Sequence, residues 1–319
     1  MRTLTLLIAV VTLSFGGCEW FKGTLKPKPV HGSAIPEQTP ETIVNYLNHQ
    51  SAAIQSIEFD SVNVSAASGP LLQQMVTLEG DLYCAKPRDF RLRAGLKVSS
   101  SDEVDIGSND KYFWMFAKRV QEPNYVFCSY DDFATGKAQL PIPFDTDWVL
   151  QALGMTTYDP SAKYTIETRQ SDREYWLISE GTTPQGMPVK KITVVAADAR
   201  GANAPWVKKH VVMDGKGKTI ATAEIVRAKN VTAGTDPQTG RPTVVQIPTE
   251  LILTFQGSDN QKMKLNLTLG RETINAPTDE RKHNYLFTKP TIPGSNPVNL
   301  ADYRFSPTAR GQAPSRSRR

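Results

Sequence analysis

Alternation of apolar and polar residues is the main pattern of the chain from about residue 57 onward. In residues 76–84, apolar residues and Gly80 occupy every second position, and residues 263–269 alternate in the same way. Because successive side chains of a strand point to opposite faces, this period predicts β-strands with one apolar face. Turn-forming segments separate these stretches, so we predict about twelve or thirteen strands in consecutive hairpins. Gly80, in the middle of a strand, predicts a β-bulge.

Two segments show helical spacing instead. In residues 41–55, apolar residues such as Ile43, Leu47 and Ile54 recur three or four positions apart, and Thr39 precedes them as a candidate N-cap. Residues 142–155 form the second segment, in which Trp148 and Val149 belong to an apolar side. We therefore predict one amphipathic helix before the strands and a short helix between them.

Together these elements predict a mainly β protein with a few helices. We expect a strongly curved antiparallel sheet, or unclosed β-barrel, covered by helices. No long repeat or change of composition interrupts residues 41–275, which we assign to one domain. Residues 18–40 are rich in proline and predict an extended tether. Residues 276–319 are expected to be a partly ordered extension that ends in a disordered basic tail.

The amino terminus has the organisation of a secretory signal. One cation, an apolar run over residues 4–13 and the pair Gly16-Gly17 follow each other in the typical order. The run has about half the length of a membrane-spanning helix, which favours cleavage. The sequence FGGC, ending at Cys18, resembles the lipobox of bacterial lipoproteins. This resemblance implies a signal peptide of residues 1–17 and acyl chains, such as palmitate, on Cys18; plain secretion and a retained anchor are the alternatives.

The formal charge of +5 lies largely in the tail. Residues 309–319 contain four arginines and no acid. The remaining chain is close to neutral, which argues against a nucleic-acid groove. We predict that the tail is disordered; electrostatic contact with anionic lipid, cell-wall polymer or nucleic acid is the functional alternative.

Few residues suggest chemistry. Cys84 and Cys128 could form a disulfide in an exported protein, and two buried free thiols are the other interpretation. The four histidines are scattered, and no spacing typical of zinc ligands occurs, so we predict no metal and no cofactor. Neither a GxSxG elbow nor a phosphate-binding glycine loop is present. We therefore predict no enzymatic activity.

Two motifs carry a resemblance to a known family. GDLYCAKPRDFRL at residues 80–92 is followed by IGSNDKYFWMFAKR at residues 106–119. They resemble motifs of the periplasmic lipoprotein carriers and outer-membrane lipoprotein receptors of the Lol system. The two predicted helices match helices of that family in place. The resemblance covers residues 43–154 by motif and reaches about residue 271 by strand pattern.

The resemblance implies an unclosed barrel whose concave apolar face binds acyl chains. An ordinary packed core would produce the same alternation, so both interpretations stay open for the lining residues. In the carriers an arginine before a proline latches the lid helix; the matching residue is Lys86, a lid-latch candidate whose side chain lacks the planar guanidinium. The lipid-binding candidates are Val76, Leu78, Leu82, Phe90, Leu92, Trp114, Phe116, Val126, Trp148 and Val149.

We therefore expect a membrane-anchored lipoprotein of the bacterial envelope, on the outer membrane and facing the periplasm. It would bind the acyl chains of lipids or lipoproteins as a receptor or carrier, without chemistry of its own. Its expected partners are those chains, the membrane through its lipid anchor, and an envelope protein. The alternative is a structural or sensing envelope module that binds a protein or a cell-wall polymer.

Overall fold

The computed structural model describes residues 34–68, 74–98, 101–119, 123–138, 146–183, 185–199, 201, 203–236, 239–256 and 262–303. The chain divides into two compact units, Met1–Ile35 and Pro36–Arg319, and almost all described residues belong to the second. The predicted signal peptide, Cys18, most of the tether and the basic tail lie outside the described residues.

One sheet contains all strands of the described chain. Its order is β14-β6-β5-β4-β3-β2-β1-β13-β12-β11-β10-β9-β8-β7, and every pair is antiparallel except β14 with β6. Within the described residues, the edge strands β14 and β7 do not pair with each other, so the predicted unclosed, mainly β architecture is confirmed. The strands are β1 (Ser56–Ser68), β2 (Gln74–Ala85), β3 (Asp89–Gly95), β4 (Asp102–Ser108), β5 (Tyr112–Ala117), β6 (Tyr125–Ser129), β7 (Tyr164–Arg169), β8 (Glu174–Thr182), β9 (Pro188–Ala196), β10 (Val207–Asp214), β11 (Thr219–Thr235), β12 (Pro242–Gln256), β13 (Lys262–Ile274) and β14 (Val298–Asn299).

Four helices accompany the sheet in the described residues. They are α1 (Pro40–Ala52), α2 (Tyr130–Ala134), α3 (Thr146–Ala152) and α4 (Glu280–Phe287). Thr39 caps α1, as its sequence predicted, because its Oγ1 accepts a hydrogen bond from the main-chain N–H of Thr42. α2 and α4 were not predicted; Ser129 and Asp279 cap them in the same way. None of the described helices is long and apolar enough to cross a membrane.

Strand pairing gives the sheet two distinct faces. Leu82 of β2 lies opposite both Phe59 of β1 and Leu92 of β3, so these buried side chains share one face. Buried residues of β11, β12 and β13 continue this face beyond β1. We call it the inner face. It includes Phe59, Val62, Leu78, Leu82, Phe90, Leu92, Ile225, Leu251, Leu253, Phe255, Leu267 and Leu269.

A β-bulge interrupts the pairing of β1 with β2 beside Gly80, as this glycine predicted. The register shifts between Phe59 and Val62, and Gly80 lies opposite Val62. A Cβ on Gly80 would lie 1.8 Å from the carbonyl oxygen of Arg93. Glycine is required at this position because β3 approaches too closely for any side chain.

The opposite, outer face carries the residues that follow β13. α4 lies over β3, where Arg91 Nη1 donates to the carbonyl oxygens of Tyr285 (2.8 Å) and Leu286 (2.9 Å) near the end of the helix. The same guanidinium forms a buried ion pair with Asp105 at 2.8 Å. Because an unpaired buried charge is strongly unfavourable, these contacts hold α4 to the sheet.

Candidate functional site

α3 covers the inner face of the sheet. Trp148, Val149 and Leu150 are buried in the same apolar cluster as the strand residues. The Trp148 ring lies 5.5 Å from that of Phe255, measured between centroids, in an edge-on contact. Leu153, just beyond the helix, is 1% exposed. In this structure the space between the sheet and α3 is filled by side chains of the protein itself.

The closed position of α3 leaves one donor unsatisfied. The indole Nε1 of Trp148 is buried and has no hydrogen-bond partner among the described atoms. A buried donor without a partner costs about 1–3 kcal/mol relative to one in water. Movement of α3 away from the sheet would remove this cost.

Six of the ten predicted lining residues belong to the apolar cluster that the inner face shares with α3: Leu78, Leu82, Phe90, Leu92, Trp148 and Val149. Val126 is half-buried beside a separate cluster that contains Phe113, Cys128 and Leu300. Val76 belongs to β2, opposite Ala66, but its side chain lies outside the described part of the chain. Contact of these residues with an acyl chain stays a prediction.

Trp114 and Phe116 lie on the outer face, which corrects their expected position on the inner face. Trp114 Nε1 donates to Asp105 Oδ1 at 2.9 Å, and the Phe116 ring contacts that of Tyr125. Room for the indole comes from Gly107, where a Cβ would lie 2.1 Å from Trp114 Cζ2. Because β5 is apolar on both faces, alternation alone could not decide which set points inward.

Lys86 contacts the end of α1. Its Nζ donates to the carbonyl oxygen of Ser51 at 2.7 Å and to Ser51 Oγ at 3.0 Å. Ser51 lies in the last turn of α1, where free carbonyl groups favour a cation. Ser51 Oγ in turn donates to the carbonyl oxygen of Met155, which follows α3. Lys86 thus joins β2 to α1 by a contact of the kind expected of a latch; its role as a latch stays a prediction.

The amino-terminal end of α3 is held by side chains. Arg88 Nε and Nη2 donate to the two carboxylate oxygens of Asp147 at 2.8 and 2.7 Å. The Tyr130 hydroxyl lies 2.7 Å from Thr146 Oγ1, and the Arg88 guanidinium stacks on the Tyr130 ring. The ion pair is partly exposed, and such pairs contribute about 0–1 kcal/mol. A cleft of about 440 Å³ opens beside this pair.

The carboxyl-terminal end of α3 is tied more firmly. The residues after it reach Tyr158, whose main-chain N–H and C=O both bond to the Asn48 side chain of α1, at 2.7 and 2.8 Å. Gln151 Nε2 also donates to the Tyr158 hydroxyl at 3.0 Å. Main-chain groups of Tyr158 therefore take part in fixing this end to α1, whereas the contacts described above for the other end are made by side chains.

A chain of polar side chains crosses the inner face beyond the apolar layer. The Tyr158 hydroxyl lies 3.0 Å from Thr193 Oγ1, which lies 3.1 Å from His210 Nδ1. Burial lowers the pKa of His210 to about 4, so the imidazole is neutral at pH 7. In the sequence, His210 is one of four scattered histidines. No local motif could reveal these residues, because strand pairing alone brings them together.

The two cysteines remain free thiols, so the disulfide that the sequence left open is not formed. Cys84 of β2 belongs to the inner-face cluster, whereas Cys128 of β6 packs with Phe113. β3, β4 and β5 lie between their strands. Neighbouring strands are about 4.8 Å apart, so the separation far exceeds the reach of a disulfide. Burial raises the pKa of both thiols, to about 11 for Cys128.

Comparison with known proteins gives distant structural similarity only. No protein-family model and no curated protein matches the sequence. The chain is similar in structure to a LolA superfamily protein from Nitrosomonas europaea, with 12% identity, 79% of this chain and 99% of that chain covered, and a TM-score of 0.43. For an outer membrane lipoprotein-sorting protein domain from Vibrio parahaemolyticus the values are 9%, 77%, 96% and 0.48. For a DUF1329 family protein from Desulfovibrio piger they are 10%, 77%, 97% and 0.47. By name, the first two of these proteins belong to the family whose motifs residues 80–92 and 106–119 resemble.

Proposed function

We propose that the chain is a lipid-anchored envelope protein that holds an acyl chain of a lipid or lipoprotein between the inner face and α3. One observation carries the proposal. The apolar inner face includes residues of β1 to β3 and of β11 to β13, whereas α3, which covers it, has only seven residues. In this proposal the protein is a receptor or carrier and catalyses no reaction.

Energetics permits the exchange of α3 for an acyl chain. Exposing Trp148, Val149 and Leu150 would cost about 5–9 kcal/mol, at about 1.5–3 kcal/mol for each side chain. Burying about twelve methylene groups of a ligand gains about 10 kcal/mol, at about 0.8 kcal/mol for each group. The two quantities are similar, so a long acyl chain can replace the helix on the sheet.

The contacts of α3 indicate how it would move. Its carboxyl-terminal end is bonded to α1, while its amino-terminal end is held by the Arg88–Asp147 pair. Opening would therefore begin at Asp147 and swing Trp148 away from Phe255. Lys86 would meanwhile keep α1 against β2.

A photoreactive fatty acid tests the proposal. The protein is purified gently, examined by native mass spectrometry for bound lipid, and irradiated with a diazirine-labelled fatty acid; labelled peptides are then mapped. We expect adducts on α3 and on inner-face peptides of β3 and β12. A protein that is always empty and labelled only at random would refute acyl binding.

Substitution at the opening tests the direction of movement. Arg88→Gln removes an ion pair worth up to about 1 kcal/mol, so uptake of a fluorescent fatty acid should accelerate up to about fivefold. Arg227→Gln is the control, because it breaks an exposed ion pair away from α3, between Arg227 of β11 and Glu250 of β12. Equal rates in the two variants would contradict the proposed opening.

The anchor and location are proposed from the sequence. The lipobox-like FGGC supports lipidation of Cys18, and the absence of aspartate after it supports the outer membrane. Mass spectrometry of the amino-terminal peptide should find an acylated Cys18, and Cys18→Ser should move the protein from the membrane fraction to the soluble fraction. An unmodified cysteine at a mature or uncleaved terminus would contradict lipidation.

A second candidate function is a structural or sensing module. The filled inner face favours it, together with a cleft of about 1060 Å³ on the outer face. Arg93, Lys118, Tyr285 and Lys289 are among the residues of that cleft, so an envelope protein or a cell-wall polymer is a suitable partner. Sedimentation with purified peptidoglycan, and lipid labelling that is absent from the inner face, would together favour this function.

A further inference from the structure

A small cavity lies at the polar end of the inner face. Its volume is about 50 Å³, and we call it the His210 pocket. Residues of α1, of the end of α3 and of strands β10 to β12 line it. Ile225, Ala228 and Ile247 line it and belong also to the inner-face cluster, so the pocket continues the proposed acyl site. Its polar lining includes Tyr46, Gln50, Gln151, Tyr158 and His210.

The hydrogen-bond chain beside the pocket has a direction. Gln151 Nε2 is a donor, so the Tyr158 hydroxyl accepts from it. Thr193 is the other partner of this hydroxyl among the described residues, and the buried hydroxyl hydrogen is therefore donated to Thr193 Oγ1. In this arrangement Thr193 has its own hydrogen left for His210 Nδ1, which lies 3.1 Å from its Oγ1. Because Nδ1 accepts, the proton of the neutral imidazole is on Nε2.

His210 Nε2 is a donor without an acceptor. His210 as a whole is 4% exposed, and no described residue accepts a hydrogen bond from Nε2. Nε2 does not belong to the fully buried polar atoms without a partner, so this donor is reached from the pocket rather than sealed in the protein. The pocket therefore offers a fixed donor to an acceptor that the protein itself does not supply.

The pocket suits a neutral acceptor. None of its lining residues is a lysine, arginine, aspartate or glutamate, and burial keeps His210 uncharged. A phosphate or carboxylate would enter without a counter-charge, which is strongly unfavourable in a buried site. The volume is several times the roughly 10–15 Å³ that one water molecule needs, so the pocket has room for a polar group larger than a single water.

We infer that the His210 pocket binds the ester or amide carbonyl at the head of an acyl ligand, with His210 Nε2–H donating to the carbonyl oxygen. The acyl chain would extend from there along Ile225 towards the inner face. This inference rests on the proposed acyl binding and adds its chemical class: acyl esters and amides rather than free fatty acids.

Three ligands with the same chain length test this preference. Methyl laurate, dodecane and laurate are compared by displacement of a fluorescent acyl probe from the full-length protein at pH 7.5. One hydrogen bond is worth about a five- to tenfold difference in affinity. We expect methyl laurate to bind about five- to tenfold more tightly than dodecane, and laurate to bind more weakly than the ester.

Variants separate the hydrogen bond from general packing. His210→Leu keeps an apolar side chain but no donor, and should bind the ester and the alkane equally. His210→Gln offers an acceptor to Thr193 and a donor to the ligand, and should restore part of the ester preference. Thr193→Val leaves the tautomer of His210 unfixed, so the ester preference should fall while alkane binding stays unchanged.

The outcomes distinguish the inference from the proposed function. If the wild type binds all three ligands but does not prefer the ester, the inference fails and acyl binding stands. If neither the acyl probe nor any C12 compound binds, both fail. Nitrogen-15 NMR of the His210 imidazole in the wild type needs neither a ligand nor a variant. A proton on Nε2 supports the inference, and a proton on Nδ1 overturns it.

Discussion

Replacing two buried tryptophans by phenylalanine is expected to change the free energy of unfolding differently. Trp148 of α3 packs on the inner face of the sheet, and Trp114 of β5 lies on the outer face. Trp148 and Trp114 are 5% and 0% exposed. The indole N–H of Trp114 donates to Asp105 at 2.9 Å, whereas that of Trp148 has no partner in the described chain. The substitution removes the same N–H and the same part of the ring at both positions. The hydrogen bond is therefore what distinguishes them.

The magnitudes follow from these contacts. The smaller ring leaves a void that costs about 1 kcal/mol at either position. Trp114→Phe also loses a hydrogen bond to a carboxylate, so its free energy of unfolding should fall by about 3–4 kcal/mol in total. Trp148→Phe removes an unsatisfied donor, which recovers about 1–3 kcal/mol. Its stability should therefore be unchanged or higher by up to about 2 kcal/mol.

Urea unfolding followed by far-ultraviolet circular dichroism measures both values without relying on tryptophan fluorescence. Equal m-values would show that the variants expose the same surface on unfolding. The reasoning is refuted if Trp148→Phe is destabilised as much as Trp114→Phe. That result would mean that the Trp148 N–H is satisfied, and that closing α3 over the sheet carries no such penalty.

Three further predictions concern stability. In urea unfolding, Gly80→Ala should destabilise the protein by about 3 kcal/mol or more, because the added Cβ would collide with β3. Gly181→Ala is the control and should be nearly neutral, because nothing lies within 4 Å of its added Cβ. Asp105→Asn leaves the buried Arg91 without its counter-charge and should cost about 3–5 kcal/mol in the same assay; a loss below about 1 kcal/mol would contradict the burial of the pair. Burial raises the pKa of Asp89 to about 6, so between about pH 4 and pH 6 the folded state holds a proton that the unfolded state has released. The free energy of unfolding should therefore decrease as pH rises through this interval, and Asp89→Asn should reduce that slope when urea curves are compared across it.

Much of the fold was predictable because its cause is local. Period-two alternation with one apolar face indicated the strands, and the segments between them indicated the turns. Residues 41–55 and 142–155 showed helical spacing, and α1 and α3 lie there. α4 was missed because its eight residues expose most of their surface and owe their place to Arg91, a residue distant in sequence.

The site was less predictable than the fold. Alternation selected Leu82, Phe90 and Leu92 correctly as inner-face residues, since β2 and β3 are polar enough on the other face. It could not place Trp114, whose strand is apolar on both faces. His210 and Thr193 carried no signal, because each is an ordinary strand residue until β9 and β10 pair.

The sequence by itself determined the strand-rich architecture, the short helices and the lipobox-like start, because periodicity and local motifs act between residues close along the chain. The tertiary structure decided which face of each strand is inner, that α3 fills the space above it, and that His210 meets Thr193 at a small neutral pocket. These outcomes depend on strand register and on packing between distant segments. A pattern with a period of two or 3.6 residues relates only neighbouring residues, so it predicts neither the register nor the packing.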